Sequence, residues 1–409
     1  MQLLRGAVRS YAWGSRTALA RIQGRPVPSD HPEAEIWLGA HPADSAHVVH
    51  EGGSTPLLTL IDDDPSTQLG GSAQHYESRL PYLLKLLAAE EPLSLQAHPS
   101  SAQAREGFAR ENSAGVPIDS PVRNYRDPNH KPELIVALTE FEALAGFRRP
   151  TDTVELLDAL AVPALAGYRT LLAAQPDASG LRTVFTSWIT LPGQALDDIL
   201  PAVAQGCIDY LSGPARTDGG RFAAEARTLL ELGESYPGDA GVLAALLLNR
   251  VTLTPGQGLY LDAGNLHAYL RGTGVEVMAN SDNVLRGGLT PKHVDVPELL
   301  RVLDFEPADI SPITPGENDR PTYVYPTPAP EFALSKTAVT AGETADLSGS
   351  GPRILLCTSG TVVAGTAGTG SGLTVSQGSS VWIPASDESV TVTAESGDAE
   401  VFVASVGRV

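Results

Sequence analysis

The feature that most constrains this chain is a hydrophobic period that changes twice. From Val8 to about Phe147, apolar residues come in short or alternating runs broken by Gly, Pro and Asp, and strands are predicted at Glu35–Gly39 and Leu134–Leu138. After Arg148-Arg149-Pro150 the spacing becomes helical: Val154, Leu157 and Leu160 share a face behind a cap at Thr151 or Asp152, and this pattern continues intermittently to about Asn249. Strand grammar returns at Val251–Thr254, followed by a turn at Pro255–Gly258, a run at Leu259–Leu261, and Gly272-Thr273-Gly274 preceding Val275–Val277. A β domain is thus interrupted by a helical insert and then resumed.

Asp295, with Glu298 three residues on, reads as a capping box opening a short helix to Leu303, and a Pro-rich linker follows. From about Glu331 to Val409, Val, Ile, Leu and Thr runs recur between Gly clusters at the spacing of a small sandwich or jelly roll, with Ala364–Gly372 as a loop. At 409 residues the chain exceeds what one core spans. The expected fold is mainly β with an α insert: 1–149 together with 250–320, a helical domain over 150–249, and a C-terminal β domain over 321–409. No fixed-period repeat is present. No histidine lies beyond His293, so the last domain is expected to pack or cover and not to supply an imidazole to a metal.

With 48 acidic against 28 basic residues the formal charge is −20, which repels nucleic acid and anionic lipid. No nucleic-acid or membrane partner is expected, and an anionic substrate must be met by a local basic cluster. Cys207 and Cys357 form no Cys-x-x-Cys pattern and fit a reducing compartment. Met1–Ser15 lacks the apolar core of a signal peptide, and the longest strongly apolar run, Val242–Leu248, is too short to span a bilayer. A cytoplasmic location is expected.

Three segments carry candidate chemistry. Gln96 and His98, two residues apart, project from one face only if their segment is an extended strand; on a helix they would diverge by about 200°. Asn129-His130-Lys131-Pro132-Glu133 sets an imidazole, a cation and a carboxylate just before an apolar strand. In Asp262-Ala-Gly-Asn-Leu-His267 a strand meets a Gly-containing turn and then presents a histidine. An amide oxygen, two imidazoles and a carboxylate are a donor set compatible with Zn²⁺ and an open position for water or substrate, and also with Mn²⁺, Co²⁺ or Fe²⁺.

Taken together, Gln96-Ala-His-Pro99, Asn129-His-Lys-Pro-Glu133, Gly264-Asn-Leu-His-Ala-Tyr269 and Ser281-Asp-Asn-Val-Leu-Arg286 closely resemble the type I mannose-6-phosphate isomerase family. Tyr11-Ala-Trp-Gly14, Ala34–Gly39 and Thr290-Pro-Lys292 look like family segments too, so the resemblance spans roughly 8–149 and 250–305. It implies a cupin-type jelly-roll catalytic domain, a helical domain and a second, C-terminal jelly roll. It also implies one Zn²⁺ per chain at Gln96, His98, Glu133 and His267, and an active-site arginine at Arg286. The implied activity interconverts mannose 6-phosphate and fructose 6-phosphate through a cis-enediol, in carbohydrate metabolism and GDP-mannose biosynthesis, by a cytoplasmic monomer. Leu266 departs from the proline that many relatives carry before the ligand histidine.

Glu276, Asp282, His130 and Lys131 remain open as the proton-transfer base. Arg286 suits enediolate charge or substrate orientation, while Lys85, Lys131 and Lys292 are available for the phosphate. Ser94, Trp13, Glu35 and Tyr269 are expected to line or support the pocket. His31, His41, His47, His50, His75 and His293 are expected to be solvent-exposed or structural. The rival readings are a different metal-dependent cupin enzyme, such as an iron oxygenase, and a non-catalytic sugar-binding cupin.

Overall fold

The structure is a computed structural model and describes residues 1–213, 220–315, 321–366 and 372–407. Strand Glu133–Ala137 is buried along its whole length. Ile135 and Ala137 face one core while Leu134 and Val136 face another. Strand Tyr82–Ala89 is built the same way, with Leu84, Leu86 and Ala88 in one core and Leu87 and Ala89 in the other. Two buried faces explain why these strands read as continuous apolar runs. The parity of Leu87 also carries Lys85 inward.

Ten antiparallel strands form the central unit, ordered 248–253, 141–147, 267–279, 82–89, 35–38 and 7–9, with 95–97, 133–137, 258–261 and 285–288 completing it. Strand His267–Ala279 is the hub. Its first residues pair with Phe141–Phe147, and Gly272–Ala279 pair with Tyr82–Ala89. Between them the register shifts at Tyr269–Arg271, and Gly272 takes φ +128°, where an added Cβ would sit 2.7 Å from the Glu140 carbonyl oxygen. The glycines expected to precede a separate strand are therefore a corner within one continuous strand.

A second sheet of eight strands joins Gln2–Arg5, His47–His50 and Gly53–Pro56 to Thr322–Tyr325, Ala333–Val339, Arg353–Ser359, Ser380–Ile383 and Ala399–Ser405. One core lies between this sheet and the central unit, and another between it and a four-stranded sheet of Thr344–Asp346, Thr361–Thr366, Gly372–Ser376 and Val390–Thr393. The first strand pairs directly with Ser380–Ile383, so the chain's two ends share one sheet across the expected domain division. Of the loop expected at Ala364–Gly372, residues 367–371 lie outside the described residues.

Helices Pro150–Leu160, Ala166–Ala174, Ala178–Ile189, Gly193–Ser212 and Ala223–Ser235 form the insert. Their core, around Phe185 and Trp188, is continuous with Leu95, Ala97, Leu266 and Ala268 beneath the central strands. The first insert helix begins with Pro150 in its first turn and has no side-chain cap, so neither Thr151 nor Asp152 has the capping role expected of it. Helix Ser101–Ser113 lies in the half expected to be mostly β. Ser100-x-x-Gln103 caps it reciprocally, with Gln103 N donating to Ser100 Oγ at 3.3 Å and Ser100 N donating to Gln103 Oε1 at 2.9 Å. Asp295 does cap helix Val296–Val302, while Glu298 turns to Arg110 and Arg301 and so leaves the box half made. Among the described residues no helix is long and apolar enough to cross a membrane.

Candidate metal centre and active site

Strand Leu95–Ala97 is only three residues long. Leu95 and Ala97 are fully buried in the helical-insert core, which leaves Gln96 facing the other way, with His98 directly beyond the strand end. His267 and Glu133 each open their own strands, and His267 stands directly across from Gln96. The imidazoles of His98 and His267 and the carboxylate of Glu133 are buried, with donor atoms all within 4.8 Å of one another. Gln96, Glu133 and His267 line one cavity of about 60 Å³ together with Ser94, Lys85 and Tyr269.

Proton placement makes this cluster cation-seeking. His98 Nδ1 lies 2.8 Å from the backbone carbonyl of Asn283 and His267 Nδ1 lies 3.1 Å from that of Asn265. A carbonyl only accepts, so both imidazoles carry the proton on Nδ1 and turn an Nε2 lone pair inward. Each Nε2 meets a Glu133 oxygen at 3.4 Å, lone pair facing lone pair. His98 Nε2 is buried with no hydrogen-bond partner. Burial pushes the His98 pKa down to about 4, keeping it neutral. Burial raises Glu133, but Lys131 and then His98 outweigh this and hold its carboxyl well below the usual range. Two neutral imidazoles and an ionised carboxylate around an unfilled lone-pair focus fit one divalent metal ion, with Gln96 beside them as a neutral oxygen donor.

Deeper in the cavity Lys85 donates to Glu276 at 2.9 Å and to Glu35 at 3.3 Å. Glu276 stands directly opposite Lys85 in the sheet and also accepts from the Tyr269 hydroxyl at 2.9 Å, while Trp37 Nε1 donates to Glu35 at 2.8 Å. Burial works against the charged lysine, yet Glu276, Glu35 and Glu133 raise its pKa. Burial, with repulsion from Glu133 and Glu35 exceeding the pull of Lys85, raises Glu276. Lys85 is therefore the buried centre of a carboxylate cluster, and this corrects its expected place among the free cations for a phosphate.

Lys131 lines the same cavity with its ammonium 2.9 Å from Glu133. Asp282 pairs with buried His41 at 3.4 Å. Although burial raises Asp282, the His41 hydrogen bond and nearby cations prevail and lower its pKa. His41 thus departs from the exposure expected of the spare histidines. His31, His50, His75 and His293 are exposed and His47 is half-buried. Trp13 stacks on Tyr11 with ring centres 5.5 Å apart and packs against the barrel core.

Arg286 pairs with Gln96 across the sheet. Burial lowers its pKa and Arg126 lowers it further; Lys292 is lowered by burial, then by Arg286 and Arg126. These three cations repel one another, and none has an ion-pair partner among the described residues. Arg126 escaped the sequence argument, as did Asn283, which is fully buried. The Asn283 amide accepts from Arg126 N at 2.7 Å and donates to the carbonyls of Asp127 and Asn129, each at 2.8 Å. It thereby ties the 127–129 segment to His98. The largest hollow lies elsewhere, about 770 Å³ against Leu160, Ala202 and Tyr210 of the insert, and has no imidazole in its lining.

Residues 1–150 match the family described as phosphomannose isomerase type I, catalytic domain. Mannose-6-phosphate isomerase of Escherichia coli K12 is 40% identical over 98% of this chain and 99% of its own length, and that of Homo sapiens is 31% identical over 97% and 96%. A zinc-bound crystal structure of mannose 6-phosphate isomerase superposes with TM-score 0.88 at 35% identity, covering 100% of this chain and 99% of that one. A single-residue variant of the Salmonella typhimurium phosphomannose isomerase gives TM-score 0.89 at 36% identity, with both chains fully covered. Similarity of this degree, running the length of the chain and through every segment of the site, places the protein in the type I phosphomannose isomerase family.

Proposed function

We propose that the chain interconverts mannose 6-phosphate and fructose 6-phosphate through a cis-enediol, with one zinc ion per chain held by Gln96, His98, Glu133 and His267. The observation that carries this is the convergence of two Nδ1-protonated imidazoles on an ionised carboxylate, with His98 Nε2 unpartnered. Bound there, zinc supplies Lewis-acid polarisation of the sugar oxygens at C1 and C2.

The chain's own groups do the rest. Glu276 takes the proton from C2 of the aldose and returns it to C1: it lines the cavity, is buried, and has the raised proton affinity a base needs near neutrality. Lys85 and Tyr269 orient it through hydrogen bonds of 2.9 Å each. Asp282 is the poorer base because His41 and the cations stabilise its anion, and Lys131 is committed to Glu133. Arg126, Arg286 and Lys292 receive the phosphate, whose charge relieves their mutual repulsion. Ser94, holding the Gln96 amide at 3.2 Å, keeps that oxygen donor oriented. Nothing in the site favours an oxygenase or a non-catalytic binder.

The same proposal divides the chain into a catalytic unit of 1–149 with 250–320, the 150–249 insert and the 321–409 unit, acting as a cytoplasmic monomer. Support comes from the two free, buried cysteines and from exposed large apolar side chains that are scattered valines and isoleucines. Light scattering at the mass of one chain is the expected result; a dimer mass refutes the monomer. For the activity, mannose 6-phosphate is supplied to zinc-loaded protein and fructose 6-phosphate is followed. Absence of product at any zinc concentration removes the proposal.

A further inference from the structure

The segment leading into the C-terminal strands reaches back to the site. Glu331 Oε1 lies 2.7 Å from His130 Nε2, across 201 positions of sequence. The pair is mostly shielded, with side chains 23% and 17% exposed for His130 and Glu331. Glu331 Oε2 is buried and has no hydrogen-bond partner. A carboxylate in that state is costly to bury unless its one partner holds it firmly.

The backbone on either side is anchored. Ala329 and Phe332 are buried in the core shared with Leu134 and Val136, and the Tyr76 hydroxyl donates to the Pro330 carbonyl at 2.8 Å. Glu331 is thus presented from a fixed point, and the residue it holds lies three positions before Glu133, next to Lys131. A carboxylate accepts and does not donate, so the bound nitrogen of His130 carries the proton and Nδ1 is left as the imidazole's free face.

We propose that Glu331 is a positioning residue of the isomerase: it fixes the tautomer and orientation of His130, which carries protons to and from the sugar oxygens. This rests on the isomerase proposal, and it gives the C-terminal β region a part in the reaction although it supplies no imidazole.

The test compares wild type with Glu331→Gln, Glu331→Asp, His130→Asn and the double variant Glu331→Gln/His130→Asn, all zinc-loaded, with mannose 6-phosphate as substrate. Glu331→Gln is expected to lower kcat about tenfold while KM stays within about twofold and bound zinc and thermal midpoint are retained. Glu331→Asp is expected to recover part of kcat, and the double variant to be no slower than His130→Asn alone, since one pathway is lost once. Wild-type kcat in Glu331→Gln, or additive losses in the double variant, overturns the inference. A kcat loss matched by lost zinc or a lowered midpoint overturns it too, because it assigns Glu331 a structural role only. An inactive wild type refutes the isomerase proposal itself, a distinct outcome.

Discussion

Asn283 bears more of the site than any residue outside the presumed ligands, and two substitutions there separate packing from hydrogen bonding. Its amide receives Arg126 N at 2.7 Å and Asp127 N at 3.3 Å, and donates to the carbonyls of Asp127 and Asn129 at 2.8 Å each. The residue is fully buried, so water cannot replace these bonds. Asn283→Ala strands at least two donors and acceptors; at about 1–3 kcal/mol for each buried unpaired group, the cost is roughly 3–5 kcal/mol. Asn283→Asp is nearly isosteric yet worse: where the NH₂ group donated, a carboxylate oxygen faces two carbonyls and the Asp127 carboxylate, itself already raised by burial. Because the Asn283 carbonyl holds His98 Nδ1, zinc affinity falls about 10- to 100-fold in both variants. Thermal unfolding with competitive zinc titration against a chromophoric chelator measures both effects. If Asn283→Asp proves milder than Asn283→Ala, or if either binds zinc within about twofold of wild type, the hydrogen-bond argument is refuted.

Two further predictions follow from the charges around the site. In zinc-free protein, His98 has its folded pKa pushed to about 4 from a usual 6.5. The unfolded chain therefore binds the extra proton first, and stability present above pH 6.5 is lost as pH falls towards 4. The midpoint of unfolding across that window should fall less steeply in His98→Leu, and an identical pH dependence contradicts it. Arg126→Met and Lys292→Met should raise KM for mannose 6-phosphate about tenfold while leaving zinc affinity unchanged, and an unaltered KM contradicts the placement of the phosphate.

The parts of this site that were legible in the sequence are those that depend on strand parity and on short contiguous motifs. Leu95 and Ala97 buried on one side force Gln96 to the other, which two-residue spacing already implied. Glu133 and His267 stand at strand mouths, where a polar residue preceding an apolar run has one place to point. What could not be read is what chain crossing creates. Lys85 looked like a free cation because the carboxylates that surround it come from positions 50 and 191 residues away. His41 and Asp282, or His130 and Glu331, have no local signal of pairing for the same reason. Helix Ser101–Ser113 was different: its capping box was in the sequence, but the low apolar content behind it gave no helical stripe to follow.

The central claim, an isomerase whose turnover needs the metal focus of His98, Glu133 and His267, is tested most directly by titrating metal-stripped protein with zinc while measuring bound metal and fructose 6-phosphate formation together. Turnover should rise in proportion to bound zinc and level off at one ion per chain, with neither binding nor turnover in His267→Ala. Full turnover in the stripped protein, or stoichiometric zinc and an unchanged rate in His267→Ala, would contradict it.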